Sequence, residues 1–270
     1  MRRSSRRSLP GVRSVADRRL TAGAIRKRKG TAFPVITAYD AAFGRLAESA
    51  GIDVLLVGDS LGMVMLGYDS TVRVELADME RHGAAVARGT KRAHVVVDLP
   101  FGTYETSDEA AVSAASRLIK YGGASSVKLE GGLRMASRIA AIVRAGIPVM
   151  AHVGVLPQTA GIGAGFRRDA RRDELLADAR AIEAAGAYAV VFEMVEAELA
   201  RELTDALAIP SIGIGSGPHC DAQVLVMHDA LGLYPDPPPF ARVFADVAQT
   251  AENGFRAYAE AVRTRAFPPD

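Results

Sequence analysis

The sequence predicts an α/β protein built as a (β/α)8 barrel, and three observations carry that expectation. Short apolar runs alternate with amphipathic, helix-like segments from residue 33 onward. The runs are continuous rather than alternating, as in strands covered on both faces of a parallel sheet. Four of them deliver an acid at their C-terminal end: Asp59 in VLLVGDS, Asp98 in HVVVDLP, Glu130 in SVKLEGG and Glu193 in AVVFEMV.

The elements follow in order. FPVITAYD (33–40) reads as a strand, and AAFGRLAESAG (41–51) as a helix closed by glycine. VLLVGDS (54–60) is the second strand and residues 75–90 the next helix. HVVVDLP (94–100) is the third strand. Residues 107–123 form a helix with Ser107 as N-cap and acids in its first turn. SVKLEG is the fourth strand, 133–146 a helix, and PVMAHVG (148–154) the fifth strand. A polar loop leads to a helix at 173–186, a strand at 189–195, a helix at 196–208 and a strand at 210–217. VLVMHDALG (224–232) fits an eighth strand or a short helix equally, since its periodicity does not separate the two. Residues 240–265 read as helical.

Helices of this length make right-handed crossovers between parallel strands. Seven or eight such units in about 240 residues suit a barrel, which typically takes about 250. A doubly wound open sheet is the alternative, but it would spread the four acids along a line, whereas a barrel gathers them at one mouth. Clustered carboxylates repel one another unless a cation sits among them. Oxygen ligands without Cys or His suit Mg²⁺ better than Zn²⁺. Lys128 shares a face with Glu130 by strand alternation. It suits a substrate carboxylate, its plainer role being an ion pair with Glu130. His152, on the fifth strand, is placed to hydrogen-bond substrate oxygens. His82 and His94 read as structural.

The chain has 270 residues, 49% hydrophobic and 24% charged, enough for one large core. No linker-like stretch interrupts it, so residues 21–270 read as a single barrel domain. No apolar run approaches the roughly 18 residues of a membrane span. The only cysteine, Cys220, excludes a disulfide within the chain and suits a reducing cytoplasm. Residues 1–30 hold nine Arg, two Lys and one Asp, a net of +10, so the remainder, with 22 basic and 30 acidic groups, carries −8. Residues 1–20 read as a basic, disordered extension without the apolar middle of a secretory signal. Its Arg and Ser content is weakly similar to a transit peptide. With no aromatic before Phe33, nucleic-acid binding is not favoured.

Several blocks in order resemble the ketopantoate hydroxymethyltransferase family: TAYDAAFGRLAESAGIDVLLVGDSLGMVMLGYDST, DLPFGTY, VKLEGG, AHVGVLPQ, EAAGAYAVVFEMV and IPSIGIGSG…DAQVLVMHDALG. The most specific are VGDSLGM and GYDST. The resemblance implies a Mg²⁺-dependent barrel, related to the phosphoenolpyruvate/isocitrate-lyase-like superfamily. It implies transfer of a one-carbon unit from 5,10-methylenetetrahydrofolate to a 2-oxo acid, 2-oxoisovalerate, in pantothenate biosynthesis. It also implies a homo-oligomer, commonly a decamer. By motif it makes Asp59, Asp98 and Glu130 the metal residues. Ser60 and Lys128 join Asp59 and Asp98 in substrate binding, and Glu193 is the catalytic proton acceptor, with a pKa raised by the apolar AVVF wall.

Three blocks depart from the family pattern. The loop from Gly163 reads GAGFRRDARRDE in place of GG(Y/F)(K/R)VQG(K/R), DAQ (221–223) replaces DGQ, and PPPFARVF (237–244) lacks a usual Lys. Two alternatives stand beside this reading. One is a Mg²⁺-dependent carbon–carbon lyase or phosphonate mutase, although the lyases' KxCGH-type loop has no counterpart here. The other is a non-catalytic relative whose basic tail binds nucleic acid.

Overall fold

Eight parallel strands close into a barrel in chain order, each paired with its sequence neighbours and the last with the first. The computed structural model describes residues 18–160 and 168–269. The strands are β1 (Phe33–Thr37), β2 (Val54–Val57), β3 (His94–Asp98), β4 (Ser126–Glu130), β5 (Val149–Gly154), β6 (Ala189–Glu193), β7 (Ser211–Ile214) and β8 (Ala222–Leu225). The helices are α1 (Ala22–Arg26), α2 (Ala41–Ser49), α3 (Leu61–Val64), α4 (Leu76–Gly89), α5 (Asp108–Lys120), α6 (Ala136–Arg144), α7 (Pro157–Thr159), α8 (Arg172–Ala184), α9 (Ala197–Ala206), α10 (Met227–Ala230) and α11 (Val247–Arg263).

Local chemistry starts the helices where the sequence predicts. Asp40 accepts from the N–H groups of Ala42 and Phe43 at 2.8 Å, and Ser107 accepts from Ala110 N–H at 3.1 Å. These satisfy donors that a first helical turn leaves free. The ambiguous segment 224–232 is both things in succession. Strand β8 begins earlier, at Ala222, and ends at Leu225, and α10 follows. The last helix starts at Val247, not near 240.

Two apolar layers build the core. Residues facing into the barrel, among them Val35, Leu56, Val96, Val191 and Val224, form one cluster, and Ala22 and Ile25 of α1 plug its N-terminal end. Residues facing out, among them Leu55, Val97, Leu129 and Phe192, pack against the surrounding helices. Strands β2 to β4 are buried along their whole length, but Pro34 of β1 and Gln223 of β8 are exposed. Helix α11 has no buried residue.

Residues 19 and 20, expected to belong to a disordered extension, are tied to the barrel. Arg19 donates to the carbonyls of Ala87, Thr90 and Ala93 at 2.8 to 2.9 Å, and Leu20 N–H donates to Arg92 O at 2.8 Å. A guanidinium on the last carbonyls of α4 caps that helix end. Residues 1–17 lie outside the described residues, as does the recoded loop from Gly163 through residue 167. None of the described helices is long and apolar enough to cross a membrane.

Candidate active site at the barrel mouth

Register brings the predicted residues together. Asp98 is paired with Lys128 across β3 and β4, Glu130 with His152 across β4 and β5, and Gly154 with Glu193 across β5 and β6. Asp59 follows β2, and its backbone N–H donates to Asp98 Oδ2 at 3.2 Å. Asp59, Asp98, Lys128, Glu130 and His152 are all buried, each 4% exposed or less. Ser60, at the start of α3, lies at the edge of the group, its hydroxyl 2.9 Å from that of Tyr39.

Lys128 does not take Glu130 as its ion-pair partner. Its Nζ sits 3.0 Å from Asp98 Oδ2 and 3.4 Å from His152 Nδ1. An ammonium only donates, so His152 Nδ1 accepts and the neutral ring carries its proton on Nε2. That Nε2 lies 3.4 Å from Glu193 Oε2, but the two are not aligned as a hydrogen bond. Burial, and next the charge of Lys128, hold His152 well below its usual pKa, so it stays neutral.

Burial dominates the acids as well. It pushes Asp98 up to about 7 against the pull of Lys128, with the negative charge of Asp59 adding to the rise. It pushes Glu193 up to about 8. Asp59 and Glu130 are raised too, chiefly by burial, Asp59 despite Lys128 and Glu130 with Asp59 adding to the rise. Burial alone would lower the Lys128 ammonium, but the charges of Asp98, Glu130 and Asp59 outweigh it and hold Lys128 above its ordinary value. The mouth thus gathers buried carboxylates that are short of positive charge.

That shortage fits a divalent cation. Asp98 Oδ1 is buried with no hydrogen-bond partner, an oxygen aimed at something the protein does not supply. Among the described residues, however, no three His, Cys, Asp or Glu side chains form a group that holds a metal by themselves. The expected direct ligation by Asp59, Asp98 and Glu130 together is therefore not preformed. Gln158 stands between Asp59 and Glu130, binding Asp59 Oδ2 through its side chain at 2.8 Å and Glu130 Oε2 through its backbone N–H at 3.1 Å. Mg²⁺ suits such a place, because it keeps several waters and takes one or two carboxylates plus substrate oxygens.

The backbone around Glu193 is unusual. Met194 adopts a left-handed φ of 53°, a conformation costly for a residue with a side chain. Ser216 staples this bend: its hydroxyl donates to Phe192 O at 2.7 Å and accepts from Val195 N–H at 3.0 Å. Gly154 makes room beside it, since a Cβ there would fall 2.3 Å from Glu193 O. The GIGSG segment therefore shapes the turn next to Glu193. His82 and His94 are structural as expected, their Nδ1 atoms on the carbonyls of Tyr39 and Leu20 at 2.7 and 2.9 Å.

Tyr39, Tyr104, Gln158 and Ser216 join the site without having been singled out from the sequence. All four lie inside the motif blocks, but nothing local distinguishes a hydroxyl or amide whose partner lies many residues away.

Comparison with known proteins gives a consistent answer. The sequence profile described as ketopantoate hydroxymethyltransferase matches residues 19–270. The chain is 50% identical over 246 residues to the 3-methyl-2-oxobutanoate hydroxymethyltransferase of Thiobacillus denitrificans, covering 90% of this chain and 94% of that one. It is 47% identical over 245 residues to the enzyme of that name from Ignicoccus hospitalis, covering 89% and 93%. Among solved structures the fold is similar to 2,3-dimethylmalate lyase, a PEP mutase/isocitrate lyase superfamily member. The TM-score is 0.58 at 18% identity, over 92% of this chain and 89% of that one.

Proposed function

Because this chain belongs to the ketopantoate hydroxymethyltransferase family, we propose that it transfers a hydroxymethyl group from 5,10-methylenetetrahydrofolate to 3-methyl-2-oxobutanoate, giving 2-dehydropantoate for pantothenate biosynthesis. The observation that carries this reading is the buried Asp98, with one oxygen on Lys128 and the other unpartnered, facing the same mouth as Glu193.

The residues take distinct roles in that reaction. Asp59 and Asp98 would hold Mg²⁺, with Glu130 close behind. Bound there, a divalent cation would supply Lewis acidity at the 2-oxo group of the substrate and offset the charge that builds on it. Lys128 and the Nε2–H of His152 supply donors for the substrate's carboxylate and keto oxygens, and the Ser60 hydroxyl lies at the rim of the same space. Glu193 takes the proton from C3, the carbon next to the keto group. Its apolar surroundings raise its proton affinity, as a carboxylate base requires. The electron pair left on C3 forms the new carbon–carbon bond to the folate's methylene, whose two C–N bonds break. One water supplies the hydroxyl oxygen, and its remaining proton and the proton from C3 go to the two nitrogens, so that tetrahydrofolate leaves. The burial of Asp59, Asp98, Lys128, Glu130 and His152 lets fixed dipoles meet this charge.

The expected oligomer is supported by α11. Phe255, Tyr258 and Val262 line one face of that helix and are 73%, 61% and 44% exposed. The outward faces of β8 and β1 are the part of the barrel left partly bare. An apolar stripe and an uncovered sheet face on one chain suit a second copy. The proposed setting is the cytoplasm, where Cys220 stays a thiol.

The test is an assay for 2-dehydropantoate from the two substrates, with and without Mg²⁺. Product that depends on the cation supports the reading. No product at any Mg²⁺ level overturns it.

A further inference from the structure

Gln158 makes more of the site than its neutral side chain suggests. It sits in α7, one turn past β5, and is 1% exposed. A glutamine amide has two N–H donors and one oxygen acceptor, and here all are used. Nε2 donates to Asp59 Oδ2 at 2.8 Å and to Leu99 O at 2.9 Å. Oε1 accepts from the Tyr104 hydroxyl at 2.5 Å. Tyr104 is itself 2% exposed, and its oxygen also lies 3.3 Å from the Glu130 backbone N–H. The amide therefore has one orientation. Flipped, it would set its oxygen against a carboxylate and a carbonyl, and its N–H groups against a hydroxyl that would have to turn its proton away.

The same residue holds the second carboxylate by its main chain, through the N–H on Glu130 Oε2. One residue thus spaces Asp59 from Glu130 and ties down one oxygen of each. It does so without adding a charge of its own to the group.

We propose that Gln158, oriented by Tyr104, is a positioning residue that sets the carboxylates of Asp59 and Glu130 for a divalent cation. The inference rests on the reading that Asp59 and Asp98 hold that cation. Partners of this kind, one step behind the ligands, typically change metal affinity or activity by about 10–100-fold when removed.

The experiment titrates Mn²⁺ into the whole protein and follows the free ion by electron paramagnetic resonance, a readout that needs no turnover. Gln158→Met keeps the length and apolar bulk but loses both polar ends, and Tyr104→Phe leaves the amide in place but removes its anchor. The expected result is Mn²⁺ binding weakened about 10–100-fold in Gln158→Met and by less, in the same direction, in Tyr104→Phe. The apparent Mg²⁺ requirement for turnover should rise in parallel. Mn²⁺ affinity within twofold of the parent in both variants, whatever their melting temperatures, overturns the inference and leaves the cation reading standing. Should Gln158→Met fail to fold, Tyr104→Phe alone decides by the same criterion. A parent protein that takes up no Mn²⁺ overturns both together.

Discussion

His152 Nε2 lies 3.4 Å from Glu193 Oε2, a neutral imidazole facing a carboxyl that burial has pushed up to about 8. With no positive partner in contact, Glu193 keeps its affinity for a proton. Glu193→Gln keeps the shape and removes the base, so kcat should fall about 10²–10⁴-fold with cation binding unchanged. Turnover should climb with pH as Glu193 ionises. The rise should sit between the ordinary carboxylate range and about 8, because a nearby cation favours the ionised form. Single-turnover rates across pH check both points, and an unaltered rate in the variant would remove Glu193 from the role.

Ser216 should act on the reaction through Glu193 alone. Ser216→Ala frees the Phe192 carbonyl and the Val195 N–H that brace the left-handed bend at Met194. A base displaced by a fraction of an ångström should cost kcat roughly tenfold while KM for the 2-oxo acid stays near its parent value. A change confined to KM would contradict this.

Cation binding should stabilise the fold. A ligand bound only by the native state adds about 2.7 kcal/mol at a hundred times its Kd, which for a chain of this size is a rise in Tm of roughly 5 °C. Calorimetry with and without Mg²⁺ measures it. Asp98→Asn should abolish the Mg²⁺-dependent increment, judged against the variant's own baseline Tm, since it also takes from Lys128 its buried ion-pair partner.

His94 sets a separate acid limit at the other end of the barrel. It is fully buried, bonded to Leu20 O and within 2.9 Å of the Ser126 hydroxyl, and burial pushes its pKa down to about 4. Between about 6.5 and 4 the unfolded chain protonates this histidine and the folded one does not. Its linkage therefore costs stability as pH falls, about 2 kcal/mol from pH 7 to pH 5. The raised carboxyls at the mouth act in the opposite sense, gaining stability as pH falls. The difference in urea unfolding free energy between the parent and His94→Gln isolates the histidine, and it should shrink by about that amount over the same interval.

The stripe on α11 should hold copies together. Phe255→Glu with Tyr258→Glu places charge on an exposed face, where the Phe267 ring meets Tyr258 edge-on. The barrel should keep its circular dichroism while the mass by light scattering falls toward the monomer. An unchanged mass would show that this face is not an interface.

Much of the architecture was legible because it is written in local terms. Alternating apolar runs and capped helices need only neighbouring residues to be recognised, and acids at successive strand ends of a barrel must converge. That reasoning reached Asp59, Asp98, Lys128, Glu130, His152 and Glu193 from the sequence, with Ser60 added by motif. It did not single out Asp98 as the ion-pair partner of Lys128, because alternation says which face a side chain takes but not how far one strand is shifted against the next. The register of β3 on β4 put Asp98, not Glu130, beside the ammonium.

The order of strands and helices and the ring of acids follow from the sequence alone, since periodicity and chain connectivity allow few other folds. Which oxygen meets which donor was decided by the tertiary structure. Gln158 with Asp59, Tyr39 with Ser60, and Ser216 across the Glu193 bend are contacts between segments 21 to 99 residues apart. Such contacts exist only once the barrel has closed and burial has removed the water that would otherwise satisfy those groups.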